Sequence, residues 1–327
     1  EYLAISSNCI DLEDIQFNQN LEELYLYDCL FFHSESIPNT VRKLQCSSCL
    51  CLDNVLVVPY CTNSLSFVNK ESGPLRFSLK NPKALEELGV AGVSFVDLED
   101  FASCSHLKRL AFIKVADVKH PEIFVWLSQF ATISLDDYCP IWLNEELLDC
   151  ISMDNKLKST YKKEIQQLDS IANFLDRGQK SLSDEEKIKR LVSYLAKQLE
   201  YDLDVLNQNN LSDSKSTMYN QNPIFYALNS DTGVCINYAC LFSALANRLK
   251  LSSHQIFGNS HTWNLVEQKK DATYLGYDCT NLDRDYSLVT IEDGKKVTKT
   301  ISIEEILESN KEKNLPYYGF SIDTFGY

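Results

Sequence analysis

No run of about 18 consecutive apolar residues occurs in the 327-residue chain, so the sequence offers no transmembrane helix. Positive charge is also short: 31 Lys and Arg stand against 46 Asp and Glu, a formal net charge of −15. Nucleic acid and anionic membrane surfaces reward Lys and Arg, so neither is an expected partner. Neutral or basic proteins suit such a surface better. The chain opens on Glu1 with neither a Met nor a signal peptide, and it reads as a soluble fragment of a longer protein. What is present is 44 % hydrophobic and 11 % aromatic residues, which makes the chain globular. Its length points to two domains, each able to bury a core.

Twelve cysteines are present, nine of them before Cys235. The chain is too large to need a small-domain disulfide framework, so these thiols read mainly as reduced and structural. Cys46, Cys49 and Cys51 include a CxxC, a spacing that zinc sites use. No second pair with ligand spacing accompanies it, and no metal or other cofactor is expected.

The first 140 residues repeat. Leu21-x-x-Leu24-x-Leu26-x-x-Cys29 returns as Val41, Leu44, Cys46, Cys49, as Leu85, Leu88, Val90, Val93, and as Leu107, Leu110, Phe112, Val115. Weaker copies begin at Leu3, Leu65 and Phe130. The second apolar position falls at 3, 24, 44, 65, 88, 110 and 133, intervals of 20 to 23 residues. Each L-x-L is a short strand with alternate side chains pointing inward, and Asn8, Cys29 and Cys49 fill the last slot. Lys70, Val93, Val115 and Tyr138 depart from the residue expected there, which suggests irregular turns.

This segment resembles a leucine-rich repeat solenoid, with a period inside the about 20 to 29 residues of that class. The resemblance implies an α/β-type horseshoe fragment whose parallel sheet binds a protein substrate. Glu23, Tyr25, Tyr27, Lys43, Gln45 and Ser47 would face outward and set specificity. The period stops at Cys139-Pro140. Residues 141 to 152 are expected to close the open end by burying Trp142, Leu143, Leu147 and Leu148.

Helical spacing then covers about 153 to 177, and Gly178 is expected to end that helix. Ser183-x-x-Glu186 opens the next helix as a capping box. Residues 206 to 222 are polar and Asn-rich and read as a loop. From Cys235 a helix is expected with Tyr238, Leu241, Phe242, Leu245 and Leu249 on its buried face. Strands follow at Ser253 to Gly258, His261 to Gln268 and Thr273 to Asp278, the last two joined by a turn at Lys269-Lys270-Asp271. A late helix should follow Ser302-x-x-Glu305. Helices followed by strands mean an α+β domain with an antiparallel sheet.

Cys235 sits at a helix start, where the positive end of the helix dipole favours a thiolate. His261 lies 26 residues on and Asp278 a further 17, on neighbouring strands. A Cys nucleophile, a His base and a carboxylate holding the imidazole is the set that attacks an amide or ester carbonyl. Cys240 and Cys279 read as core, His254 as an ordinary strand histidine, and Trp263 as a wall of the cleft.

The ordered blocks Gly233-Val-Cys235, Tyr238-Ala, Leu241-Phe, His261-x-Trp263-Asn264 and Tyr277-Asp278-x-Thr280 resemble the core of the transglutaminase-like, papain-related superfamily over about residues 155 to 290. The helix ending Leu-Glu-Tyr201-Asp fits the same pattern. The resemblance implies a Cys235 nucleophile, a His261 base and an orienting Asp278, with Trp263 and Tyr277 contacting substrate. The backbone N–H of Cys235 would be one oxyanion donor, the second being unassigned. The short Gly258 to His261 link, Ile236 after the cysteine and the lack of an acidic loop favour a compact bacterial-type member without calcium.

The expectation is thus an α+β multidomain chain: repeats over 1–140, capping and linker helices over 141–180, and a cysteine catalytic domain over 181–327. It would transfer acyl groups from protein amides as a transglutaminase, deamidase or peptidase. Low Gly and many Asn and Lys, with this domain pairing, suggest a bacterial effector delivered into a host cell. The alternative is an interaction module whose second domain is inert.

Overall fold

A computed structural model describes residues 1–6, 17–32, 34–51, 55–68, 74–93, 95–115, 117–136, 140–178, 182–202, 222–258, 261–268, 273–280, 287–292 and 295–300. Asn8, Lys70 and Tyr138, the polar loop up to residue 221, the 269–271 turn and the late helix lie outside the described residues. The chain divides into two compact units, Glu1–Lys158 and Ser159–Tyr327.

The first unit runs through β1 (Tyr2–Ser6), β2 (Glu23–Tyr27), β3 (Leu30–Phe32), β4 (Lys43–Ser47), β5 (Leu50–Cys51) and β6 (Val55–Val58). It continues through β7 (Ser64–Val68), β8 (Pro74–Leu79), β9 (Glu87–Ala91), β10 (Phe95–Asp97), β11 (Arg109–Ile113) and β12 (Asp117–Lys119). A short helix, α1 (Ile123–Leu127), and β13 (Thr132–Leu135) follow. Strands β1-β2-β4-β7-β9-β11-β13 form one parallel sheet in sequence order. The seven marker positions line up across it: Leu3 pairs with Leu24, Leu24 with Leu44, Leu44 with Leu65, Leu65 with Leu88, Leu88 with Leu110 and Leu110 with Ile133. Strand alternation turns Leu24, Leu26, Leu44, Cys46, Leu65, Phe67, Leu88, Val90, Leu110 and Phe112 into the core. Burial of each large apolar side chain contributes about 1.5–3 kcal/mol relative to exposure.

Behind this sheet lies a second parallel one, in the order β12-β10-β8-β6, and a separate β3-β5 pair. This corrects the α/β-type horseshoe, in which helices would back the strands. Among the described residues the back of the repeats holds short strands, 3-10 turns and only the five-residue α1. The cause is length. With some 15 residues to leave one strand and reach the next, an extended segment gains about 3.3 Å per residue where a helix gains 1.5 Å.

The corners after the front strands follow one rule that residue identity hides. Asp28, Ser48, Gly92 and Lys114 have φ of 53°, 54°, 68° and 52°, each immediately before the last slot of its repeat. The N–H of each then points to the next repeat: Asp28 to the Ser47 carbonyl (2.9 Å), Ser48 to that of Val68 (2.6 Å) and Gly92 to that of Ile113 (2.9 Å). Lys114 donates to the Asp136 carboxylate at 3.1 Å. Backbone thereby satisfies the corner, and the slot residue needs only to be small and buried, as Cys29, Cys49, Val93 and Val115 are. The valines therefore mark regular turns, not irregular ones.

After β13, Ser152 N–H reaches the Ile133 carbonyl (2.6 Å), and Ile141, Trp142, Leu143, Leu147 and Leu148 are buried. The helix α2 (Glu145–Cys150) begins with the Asn144 side chain accepting from Leu147 N–H at 2.9 Å.

The second unit is entered along α3 (Asn155–Leu175), which stops three residues short of Gly178. It is followed by α4 (Asp184–Gln198), whose first turn is capped by Ser183 accepting from Glu186 N–H at 3.2 Å. Next come β14 (Glu200–Tyr201), α5 (Pro223–Asn229), β15 (Thr232–Gly233) and α6 (Cys235–Arg248). Strands β16 (Ser253–Gly258), β17 (His261–Gln268) and β18 (Thr273–Tyr277) form an antiparallel sheet, and β19 (Ser287–Glu292) pairs with β20 (Lys295–Thr300).

Helix α6 is buried on every side from Asn237 to Ala246, not along one stripe. Its far end is tied by Arg248 Nε to Asp169 of α3 at 2.7 Å, and Lys187 of α4 donates to the Leu249 carbonyl at 2.9 Å. Buried Asn264 of β17 donates to the Ala239 carbonyl (3.1 Å) and the Ser243 hydroxyl (2.6 Å), pinning the sheet to the helix. These bonds hold the first residue of α6 in place.

Candidate active site

Cys235 is that first residue, half-buried, and it follows the two-residue strand β15. β15 lies parallel to β14, with Tyr201 opposite Gly233, and Asp202 N–H reaches the Gly233 carbonyl at 3.0 Å. Val234 occupies the N-cap position without a side chain able to cap. Asn237 replaces it: its Oδ1 accepts from Val234 N–H (2.9 Å), and its Nδ2 donates to the Pro223 carbonyl at the start of α5 (3.2 Å). One wholly buried amide thus fixes the turn into the thiol.

That clamp dictates glycine at 233. A Cβ there would lie 3.0 Å from the Asn237 Cβ. Asn237 is held by two hydrogen bonds and cannot move aside without breaking one. Gly233→Ala is expected to destabilise the fold by about 1–2 kcal/mol. Urea unfolding checks this: the midpoint should fall at unchanged slope, and an unchanged midpoint would mean that the turn tolerates the methyl.

His261 opens β17, and its Nε2 lies 2.9 Å from Asp278 Oδ2. In the strand register Asn264 faces Tyr277, so Asp278, just past the end of β18, lies diagonal to His261 and not directly opposite. Thr280 completes the geometry from beneath: its N–H (3.1 Å) and Oγ1 (2.7 Å) both donate to Asp278 Oδ1, leaving Oδ2 for the imidazole. The Asp278 bond is the largest cause that raises the His261 pKa to about 9, followed by a hydrogen bond to the Cys235 thiol. With Nε2 turned to the carboxylate, Nδ1 is the nitrogen left for sulfur.

Trp263 stacks on His261, ring centroids 5.8 Å apart at 23°, and stays partly exposed. Tyr277 does not line the cleft as expected. It is 5 % exposed and stacks on Phe242 of α6 at 5.9 Å, because its register partner Asn264 faces that helix. Burial pushes its phenol to about 12, so it is a core residue. Cys240 and Cys279 are buried too, and Gln255 Nε2 donates to Cys240 Sγ at 3.3 Å.

Tyr201 was not singled out from sequence. Tyr201 lies opposite Gly233 in the β14-β15 pair, its ring stacks on Tyr238 of α6 (centroids 6.2 Å apart at 28°), and burial pushes its phenol to about 12. Asn237 and Thr280 were likewise unassigned, although Thr280 stands in the quoted Asp-x-Thr. Short polar residues flanking Cys235 and Asp278 are the signal that the sequence carries for them.

As for metals, the CxxC cysteines Cys46 and Cys49 are core thiols of the first unit, Cys49 donating to the Leu26 (3.5 Å) and Ser47 (3.3 Å) carbonyls. Among the described residues, Asp97, Glu99 and His120 bring ligand atoms within 4.8 Å of one another. The Lys119 ammonium, 3.3 Å from Asp97, already supplies that group with a cation.

Residues 169–279 match the family model of the transglutaminase-like superfamily. No curated protein matches the chain. A solved structure described as a crystal structure of a TGase is similar at 18 % identity and a TM-score of 0.31, over 40 % of this chain and 34 % of that one. The chain therefore spans about a third of that protein's length. The segment from 169 to 279, which contains Cys235, His261 and Asp278, is a transglutaminase-like superfamily domain by that match.

Proposed function

We propose that the second unit is a cysteine-dependent acyl-transfer enzyme that acts on protein amides. The observation that carries this reading is His261 held between the Asp278 carboxylate, at 2.9 Å, and the Cys235 thiol. In the proposed reaction the Cys235 thiol gives its proton to His261, the sulfur attacks the amide carbonyl carbon, and the C=O π pair moves to oxygen. Collapse of that intermediate breaks the C–N bond as imidazolium His261 gives its proton to the leaving nitrogen. A thioester remains. Water then returns an acid, or a second amine forms a new amide, with neutral His261 accepting the proton of the attacking group. Trp263 would wall the cleft beside the imidazole.

The same reading takes the first unit as a leucine-rich repeat array that recruits the protein substrate. Its parallel sheet leaves Glu23, Tyr25 and Tyr27, then Lys43, Gln45 and Ser47, at the outward positions of neighbouring strands. Lys43 lies over the Tyr25 ring at 5.3 Å, which gives that face a fixed aromatic and cationic feature.

A competition between thiols tests the enzyme reading. Cys61 is exposed and Cys235 only half so. Accessibility alone would modify Cys61 first, whereas an imidazolium partner would favour Cys235. Limiting iodoacetamide at pH 7, followed by peptide mapping, is expected to alkylate Cys235 at least tenfold faster. Equal labelling, or Cys61 ahead, would defeat the proposal.

A further inference from the structure

The Asn237 amide that shapes the turn into Cys235 depends on a partner outside that turn. Its Nδ2 donates to the Pro223 carbonyl at 3.2 Å, and this bond turns Oδ1 toward the Val234 N–H at 2.9 Å. Pro223 opens α5, a helix of seven residues. So short a helix is not stable by itself in water and takes its position from what anchors it. It packs against α6, with Ile224 and Ala227 buried. Its first turn is capped by Asn222, whose Oδ1 accepts from Phe225 N–H at 3.0 Å.

A carboxyl group of α3 orients the Asn222 amide in turn. Asn222 Nδ2 donates to Glu164 Oε1 at 3.1 Å, across 58 residues of sequence. Because Oε1 accepts, it selects the Nδ2 end of the amide and leaves Oδ1 for the helix start. Glu164 is 1 % exposed and shares the buried face of α3 with Tyr161, Ile165 and Leu168. An apolar side chain would fill that position without the cost of desolvating a carboxyl. Packing alone therefore does not account for Glu164. The path from it is continuous: Glu164 to Asn222, Asn222 to the first turn of α5, Pro223 to Asn237, and Asn237 to the residue before the thiol.

We propose that Glu164 is a positioning residue for Cys235, acting through Asn222, the start of α5 and Asn237. The proposal rests on the acyl-transfer reading above and extends it to a residue 71 places ahead of the nucleophile. Its part is indirect. It fixes which way two amides face, and the second of them sets the turn that presents the sulfur to His261. Small displacements of a reacting atom are costly to rate, so an acceptor far from the chemistry can govern it.

Two substitutions separate this role from support of the fold. Glu164→Gln keeps an acceptor for Asn222, whereas Glu164→Leu keeps the bulk and removes the acceptor. Both are compared with the parent as the whole chain, without denaturant. The probe is p-nitrophenyl acetate: the Cys235 sulfur takes the acetyl group, His261 takes the thiol proton, and p-nitrophenolate leaves. Mass spectrometry then gives the rate of acetylation at each cysteine. The expected result is a Cys235 rate lowered about 10- to 10²-fold by Leu and recovered to within about threefold of the parent by Gln. Buried Cys240 and Cys279, in the same unit, should stay protected in all three proteins. A Leu variant within twofold of the parent, or a Gln variant as slow as Leu, would overturn the proposal. So would acetylation of Cys240 and Cys279 in the Leu variant, because Glu164 would then support the fold as a whole. If Cys235 of the parent reacts no faster than exposed Cys61, the acyl-transfer reading itself fails. That outcome is visible before any variant is compared.

Discussion

Cys235→Ala is expected to remove acyl transfer altogether, a loss of about 10⁶-fold as for other nucleophiles in such triads, with the fold intact. The reason for expecting so clean a separation lies in α6. Cys235 and Ile236 are both partly exposed, ahead of the wholly buried stretch that starts at Asn237, so trimming the Cys235 side chain opens no large core cavity. The turn leading into it depends on Asn237 and Gly233, which the substitution leaves in place. Mass spectrometry of a candidate protein substrate then reads two things. With the wild type it names the reaction: the small mass gain of amide becoming acid marks deamidation, an isopeptide marks cross-linking, and new termini mark proteolysis. With Cys235→Ala every such product should vanish while the unfolding midpoint stays near that of the parent. A variant that kept every biochemical effect would make the chain an interaction protein.

The second large effect concerns Asp278→Ala, expected to slow amide turnover by about 10³- to 10⁴-fold. Asp278 is the first cause of the raised His261 pKa, near 9, and the Cys235 thiol follows it. The imidazolium therefore survives up to about pH 9, and its proton serves the leaving amine until then. Wild-type turnover should fall as pH rises through that value. Without the carboxylate the imidazolium loses its main support, and the falling limb should move toward lower pH. The sign for stability agrees. The native imidazole titrates above its ordinary 6.5, so its stabilising contribution is full below that value and is lost as pH rises through about 9. A pH profile of kcat in the two proteins checks the argument, and an unmoved limb would remove Asp278 from its assigned place.

Much of the second unit could be read from residue order. Alternation and turn residues give β16, β17 and β18, and the spacing of Leu and Phe gives α6, although that helix is buried on every side from Asn237 to Ala246 and not only along the spaced face. Tyr277 shows where that reading ends. An aromatic beside an acid looks like cleft lining, but its face is decided by register with Asn264, which a single strand does not encode. Tyr201 shows the complementary gap. It is 34 residues ahead of Cys235, and only the parallel β14-β15 pairing sets it opposite Gly233, two residues before the thiol. In the first unit the inward leucines set the strand spacing, while the back of the repeats holds extended segments where the horseshoe resemblance implies helix. Short extended segments such as Val55–Val58 carry too few residues to announce themselves against helix.

The corners of the first unit have a consequence for how its surface can change. At Asp28, Ser48, Gly92 and Lys114 the bond that secures each corner comes from main chain, which every residue but proline possesses. An acid, a hydroxyl, a bare backbone and a base all occupy these corners, glycine alone without the steric cost of the left-handed conformation. Charge along that border is consequently uncoupled from the packing that holds the strands together. Substitutions along that rim can change the surface beside the outward sheet face one residue at a time while the corner bonds stay in place.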